Sequence, residues 1–232
     1  MNYSVKALKE EIRVALDQNS NDGTLLSDAG DVDTLALAKI IESKIEDAAR
    51  IVESNAARHL LKDSGIGYYG LDYSKIQWKG NDTTGFVPLP DDFMRLLLFK
   101  MSDWDYAITD AITPDDPTYA RQHSRYGGVR GNTQRPVAAI VERPSGLALE
   151  FFSCKTQDAK IESAYYIPYP KMKPYQGGDE DDPEFEPGEI IIDICDKLKS
   201  AVVYYAAYMT ALGCGEKTLA EAMLMQAETL MK

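Results

Sequence analysis

Val87-Pro88-Leu89-Pro90-Asp91-Asp92-Phe93 opens, and Ala164-Tyr165-Tyr166-Ile167-Pro168-Tyr169-Pro170 closes, the part of the chain that decides its fold. Between them, short apolar runs alternate with turn-forming clusters, which is the punctuation of strands. Residues 95–101 (Arg-Leu-Leu-Leu-Phe-Lys-Met) are one strand long, and Pro90 with Asp91-Asp92 reads as a short turn feeding them. Ile76-Gln77-Trp78 and Phe86-Val87 face one another across Gly80-Asn81-Asp82 as a hairpin. Residues 137–142, 147–152 and 161–167 recur at roughly twelve-residue spacing, which predicts an antiparallel meander. Thr113-Pro114-Asp115-Asp116-Pro117 is cap chemistry and predicts one helical turn over 118–124.

On both sides the period changes to that of helices. Val5, Leu8, Ile12 and Leu16 fall on one face behind a Ser4 N-cap, and the turn chemistry of 17–23 ends that helix. Leu37, Ile41, Ile45, Ala48, Val52, Ala56 and Leu60 extend a second helix over 33–61, capped by Asp31 or Asp33 and closed by Gly65 and Gly67. A third is predicted over 190–212, with Ile191, Ile194, Leu198, Ala201, Val202, Tyr205 and Met209 as its stripe. Gly213-Cys214-Gly215 breaks it, and 216–231 folds back as a fourth, exposing Leu219, Met223, Ala227 and Leu230 on one face.

The expected fold is therefore α+β, with strands and helices segregated rather than alternating. About four helices from both chain ends form a bundle, and a small antiparallel β lobe is inserted between helices two and three. The boundaries are 1–67 for the N-terminal helices and 68–170 for the β lobe, which carries a basic loop over 117–136. An acidic Pro/Gly loop spans 171–188, and the C-terminal helices occupy 189–232.

Composition narrows function. With 44% hydrophobic and 27% charged residues among 232, the chain has the means to bury a core without staples. A net charge of -12 argues against a protein whose whole surface coats a duplex. Three scattered cysteines, Cys154, Cys195 and Cys214, do not make a disulfide framework and fit synthesis in a reducing cytoplasm. The first residues lack a secretory signal, and no run approaches the ~18–20 apolar residues of a membrane span.

Chemistry-bearing motifs are sparse, and no catalytic residue, cofactor site or metal site is assigned. His59 sits where a helix-end histidine favours the dipole, and His123 has no nucleophile or orienter beside it in sequence. The window 17–28 has Asp17, Asn19 and Asn21 at calcium-loop spacing, but Asp22 replaces the required glycine and Asp28 the closing glutamate. In 213–218, Glu216 interrupts the Gly-Lys-Thr of a phosphate loop. Tyr165, Tyr166 and Tyr169 suit core and interface packing better than a stacking platform, though a carbohydrate- or ligand-binding module using them is the alternative function.

The feature that stands out is basic. Arg121, His123, Arg125, Arg130 and Arg135 lie in a span free of acid between Asp116 and Glu142, and Gly127, Gly128 and Gly131 suggest that it is flexible. Charge runs are usually solvated faces. The functional reading is a docking loop whose guanidiniums pair with a neighbouring chain's carboxylates or with phosphates. The chain's own acidic run, with Asp179, Asp181, Asp182 and Glu184, is its counterpart in a head-to-tail ring.

These residues resemble a known family. Leu89-Pro90-Asp91-Asp92-Phe93-Met94-Arg95-Leu96, then Trp104, Ile108, Pro114, Pro117, Tyr119, Arg121, Gln122 and Arg125, look like the neck adaptor or ring proteins of tailed bacteriophages, the head-to-tail connectors. The strands up to 167 and the helix around 198–207 extend the likeness, mostly as an order of elements. It is closest to versions from crAss-like and other Bacteroidales phages. The resemblance implies a non-enzymatic dodecameric ring of identical subunits under the portal, bound to the portal protein and to the next neck or tail ring. DNA would pass through its channel, with no membrane partner. It also implies a place in the virion neck after assembly in the host cytoplasm.

Overall fold

The computed structural model describes residues 1–16, 37–61, 66–67, 75–79, 83–124, 126, 128–176 and 185–232. The chain divides into two compact units, Met1–Asp63 with Pro170–Lys232, and Ser64–Tyr169.

The first unit begins with a strand that is three residues long. β1 (Asn2–Ser4) pairs antiparallel with β10 (Ile190–Asp193), which in turn pairs with β9 (Met172–Pro174). The terminal ammonium of Met1 locks the register, reaching Asp193 Oδ1 at 2.8 Å and the Ile194 carbonyl at 2.9 Å. Ser4 ends β1 and caps α1 (Val5–Ala15), its hydroxyl accepting from Ala7 N–H. Val5, Leu8 and Ile12 bury the inner face of α1, and Ile41, Ile45, Ala48, Ala49 and Val52 that of α2 (Leu37–Asn55). Each fully buried Leu or Ile is worth about 1.5–3 kcal/mol of transfer.

Between these helices runs α4 (Lys199–Gly213), which packs on α1, α2 and α5 (Lys217–Leu230). Its buried residues are small: Ala201, Ala206, Ala207, Thr210 and Ala211, with Val202 and Val203. Against them α5 sets Ala220 and Ala227, so the two backbones approach closely. Gly215, at φ +85, takes the left-handed turn between them that a side chain would strain.

The second unit contains two sheets. In one, β5 (Phe93–Met101) pairs with β8 (Ile161–Pro168), which also takes β2 (Ile66–Gly67). In the other the order is β3 (Gln77–Trp78), β4 (Gly85–Pro88), β7 (Gly146–Phe151), β6 (Ala138–Arg143). The core draws on both, with Phe99, Met101, Trp104, Leu149, Phe151 and Tyr166 among its members. Phe99 meets Trp104 edge-on at 5.5 Å, and Trp78 meets Phe151 at 5.3 Å. Between the sheets' strands in sequence lies α3 (Pro117–Gln122).

The expected helical bundle with a small β lobe is overturned. The described residues are still α+β, but they hold five α-helices and ten strands in three sheets, one of those sheets inside the helical unit. The third predicted helix begins only at Lys199, because the β-branched Ile190-Ile191-Ile192 forms β10 with two pairing strands, one of them inside the 171–188 segment read as a loop, and a 3-10 turn follows. The second helix ends at Asn55 and continues as a 3-10 turn, Arg58–Leu60, so that Leu61 and not Leu60 is fully buried. Residues 161–168 leave the predicted meander to pair with β5. The proposed caps at 31–33, the glycine stop at Gly65 and the 80–82 turn lie outside the described residues.

One buried carboxylate joins α2 to the start of the α4 segment. Glu53, 5% exposed, accepts the Cys195 N–H at 2.8 Å, at the N-terminal end of the 3-10 turn Asp196–Leu198 that leads into α4. A negative group there satisfies an orphan donor and complements the helix dipole. Glu53→Ala is expected to lower the unfolding free energy by about 1.5–3 kcal/mol, the range for bonds to charged acceptors. Glu53→Gln, which keeps an acceptor, should lose less; urea titrations giving equal losses would show that packing, and not the bond, is what matters.

Candidate functional site

The basic segment begins at α3. Asp116 N-caps it, Oδ1 accepting from Thr118 N–H at 2.7 Å and from the Thr118 hydroxyl at 2.6 Å, and these bonds hold its carboxyl below the usual range. Pro117 occupies the first turn, where no N–H is needed. One turn on, the Tyr119 hydroxyl donates to Glu150 Oε2 at 3.2 Å, and the Tyr119 ring stands edge-on to Phe152 at 5.9 Å. His123 completes the cluster, 5.0 Å from Tyr119 and 5.6 Å from Phe152. Burial first, and then Glu150, raises the Tyr119 phenol above its ordinary value.

Glu150 is 1% exposed and is the penultimate residue of β7. Lys79 pairs with its Oε1, and Arg143 approaches Oε2 at 3.5 Å while lying 3.6 Å over the Phe86 ring. A buried carboxylate needs such partners, because an unpaired charge in the interior costs several kcal/mol.

Beyond α3 the chain is pinned by its own backbone. Buried Gln122 bonds the Thr118 carbonyl through Nε2 at 3.0 Å and accepts Gly131 N–H on Oε1 at 2.8 Å. A Cβ on Gly131 would lie 2.7 Å from Ser153 Oγ and 2.9 Å from Val137 Cγ2, so only glycine fits. Asn132 and Arg135 exchange backbone bonds, and Asn132 Oδ1 accepts from Gln134 N–H and Arg135 N–H. Val137 N–H reaches Ser153 Oγ at 3.0 Å, and the Thr133 carbonyl accepts Asp105 N–H at 2.9 Å. The expectation of a flexible loop therefore gives way to an anchored platform over these described residues.

Arg121 and Arg135 are exposed on that platform and Arg130 is half-buried. Neither Arg121 nor Arg135 forms an ion pair among the described residues. Tyr126 and Val129 are exposed on the same segment at 63% and 51%. Of the other residues singled out from sequence, Arg125, Asp179, Asp181, Asp182 and Glu184 lie outside the described residues, as does the 17–28 window. Tyr119, Gln122 and Glu150 were not recognised. The one signal for Glu150 was a carboxylate between Leu149 and Phe151 in an otherwise apolar strand.

The remaining candidates fall apart as sites. Tyr166 is a core residue, stacked on Phe93 at 5.8 Å with its hydroxyl donating to Asp92, while its neighbour Tyr165 is only half-buried. His59 is exposed on the 3-10 turn, its carbonyl accepting from Lys197. All three cysteines are free thiols, and burial pushes the Cys154 thiol far up. No cluster of three metal-ligating side chains and no helix long and apolar enough to cross a membrane occurs among the described residues. No protein-family model matches the chain, and no curated protein matches it.

Two outcomes follow. Gly131→Ala should loosen the platform, giving faster tryptic cleavage after Arg121 and Arg130 than in the unmutated chain; an unchanged digestion rate would show that the segment does not depend on that close approach. Burial and the Asp92 bond raise the Tyr166 hydroxyl to about 12 against about 10 unfolded. The folded state therefore holds this proton longer, and stability present below pH 10 is lost as pH rises toward 12. Denaturant midpoints at pH 9 and pH 11 should fall less in Tyr166→Phe.

Proposed function

We propose that the chain is a structural ring protein of the tailed-phage neck, placed between portal and tail around the DNA channel. The observation that carries this reading is the arginine platform. A chain of net charge -12 presents Arg121 and Arg135 to solvent on a hydrogen-bonded segment, and neither forms a salt bridge among the described residues. Ordering long cationic side chains on an anchored scaffold suits pairing with another molecule. The resemblance of the 89–125 segment to neck ring proteins supplies the class of that molecule: identical subunits, the portal protein and the next ring.

In this reading each copy contributes both arginines and carboxylates, and the contact repeats around a closed, dodecameric ring. The acidic run containing Asp179, Asp181, Asp182 and Glu184 is one source of carboxylates. DNA passes through the channel, and the protein resides in the virion neck after assembly in the host cytoplasm. The chain performs no reaction in this role.

Purified protein mixed with the portal should give stacked rings by electron microscopy. Arg121→Glu with Arg135→Glu should abolish ring formation while the circular dichroism spectrum stays unchanged. Association should also weaken as salt is raised, because exposed charge pairs are screened. Failure to associate with itself or the portal, together with saturable glycan binding by the monomer, would replace this reading with the binding-module alternative.

A further inference from the structure

Helix α4 carries no charged side chain from Ser200 through Gly213, a composition that belongs to a helix covered on every side. Within its unit one stripe is not covered. Tyr205 and Tyr208 are half-buried and Leu212 is 50% exposed, and their spacings of three and four align them. The two rings meet edge-on at 5.4 Å.

Helix α5 extends this surface. Glu221, Met225 and Glu228 follow one another at spacings of four and three, all exposed, Met225 at 69%. Helix α5 packs along α4, and burial, Tyr208 and the Glu228 carboxylate together raise the Tyr205 phenol. Glu221 and Glu228 form no ion pair among the described residues, and Lys217, four residues before Glu221, is the cation on the same stripe. The result is an aromatic and apolar patch edged by two carboxylates.

The arginine platform has the same anatomy with opposite sign. Val129 and Tyr126 are exposed, and Arg121 and Arg135 stand on the same segment. Interfaces concentrate their energy in Tyr, Met and Arg at a desolvated centre, and complementary charge selects the register. We propose that the acid-edged tyrosine face of α4 and α5 seats the arginine platform of a second copy of this chain. This rests on the ring reading and names the described surface that receives the arginines. The contact is heterologous, so each copy has one platform and one seat left to extend or close the ring.

The test uses two full-length variants, Glu221→Arg with Glu228→Arg, and Arg121→Glu with Arg135→Glu, followed by sedimentation velocity and native mass spectrometry, alone and on the portal. Each variant by itself should self-associate at least about tenfold more weakly than the unmutated chain. Mixed in equal amounts they should assemble again, as rings in which the two variants alternate, because each then meets an opposite charge on both sides. If the glutamate variant assembles normally while the arginine variant does not, the seat is wrong and the ring reading survives. If each variant is impaired but the mixture stays dissociated, the proposed pairing is also wrong. If the unmutated chain never assembles, both fall together.

Discussion

A single buried carboxylate sets the geometry on which the functional surface depends. Glu150 is the penultimate residue of β7, and its partners come from three separate segments: Lys79 beyond β3, Arg143 at the end of β6, and Tyr119 on α3. Two cations and one hydroxyl give both carboxylate oxygens partners, which offsets the cost of burying the charge. Tyr119 is the member that matters outward. Through it the start of the arginine segment is tied to the sheet, and Phe152 and His123 then fix the rotation of α3 by edge-on ring contacts. The exposed guanidiniums therefore project from a braced support.

The other unit is held by closure of the chain ends. β1 and β10 are separated by more than 180 residues, yet the terminal ammonium, Asp193 and the Ile194 backbone fix them in register. Tyr3 adds a bond from its hydroxyl to Asp196 at 2.7 Å. Ile191 and Ile192 are both buried, and Glu53 fixes α2 to the segment that starts α4. Closing so long a loop is slow but adds little extra entropy cost per residue, since that cost grows only with the logarithm of length.

What the sequence made legible follows from how local each signal is. Turn chemistry marked β5, β6, β7 and α3 to within a residue or two, because Pro90, Pro117 and Pro144-Ser145-Gly146 act on their immediate neighbours. β1 and β9 were illegible: three residues make no periodicity, and their pairing partner is distant. Of the stripe expected to be buried, Ile191, Ile194, Leu198, Ala201 and Val202 are buried, and only its last two members are not, because a helix without charges has no polar face to orient it. Tyr205 and Met209 were expected inside, and alanines took those places since small side chains let α5 approach. At the candidate site, the arginines were readable as charge. Their anchorage was not, because Gln122–Gly131 and Tyr119–Glu150 are contacts made in space. Gly131 itself was read as freedom, and in the folded chain it is a point of close approach.

The buried carboxylates have their partners inside: Glu150 has two cations and a phenol, and Glu53 accepts from a backbone donor. Arg121 and Arg135 on one unit and Glu221 with Glu228 on the other are exposed and form no salt bridge among the described residues. Complementary charge on a partner steers encounter and fixes the register of docking, while the aromatic and apolar neighbours supply the burial. A chain carrying both signs on different surfaces has a partner available in every copy of itself.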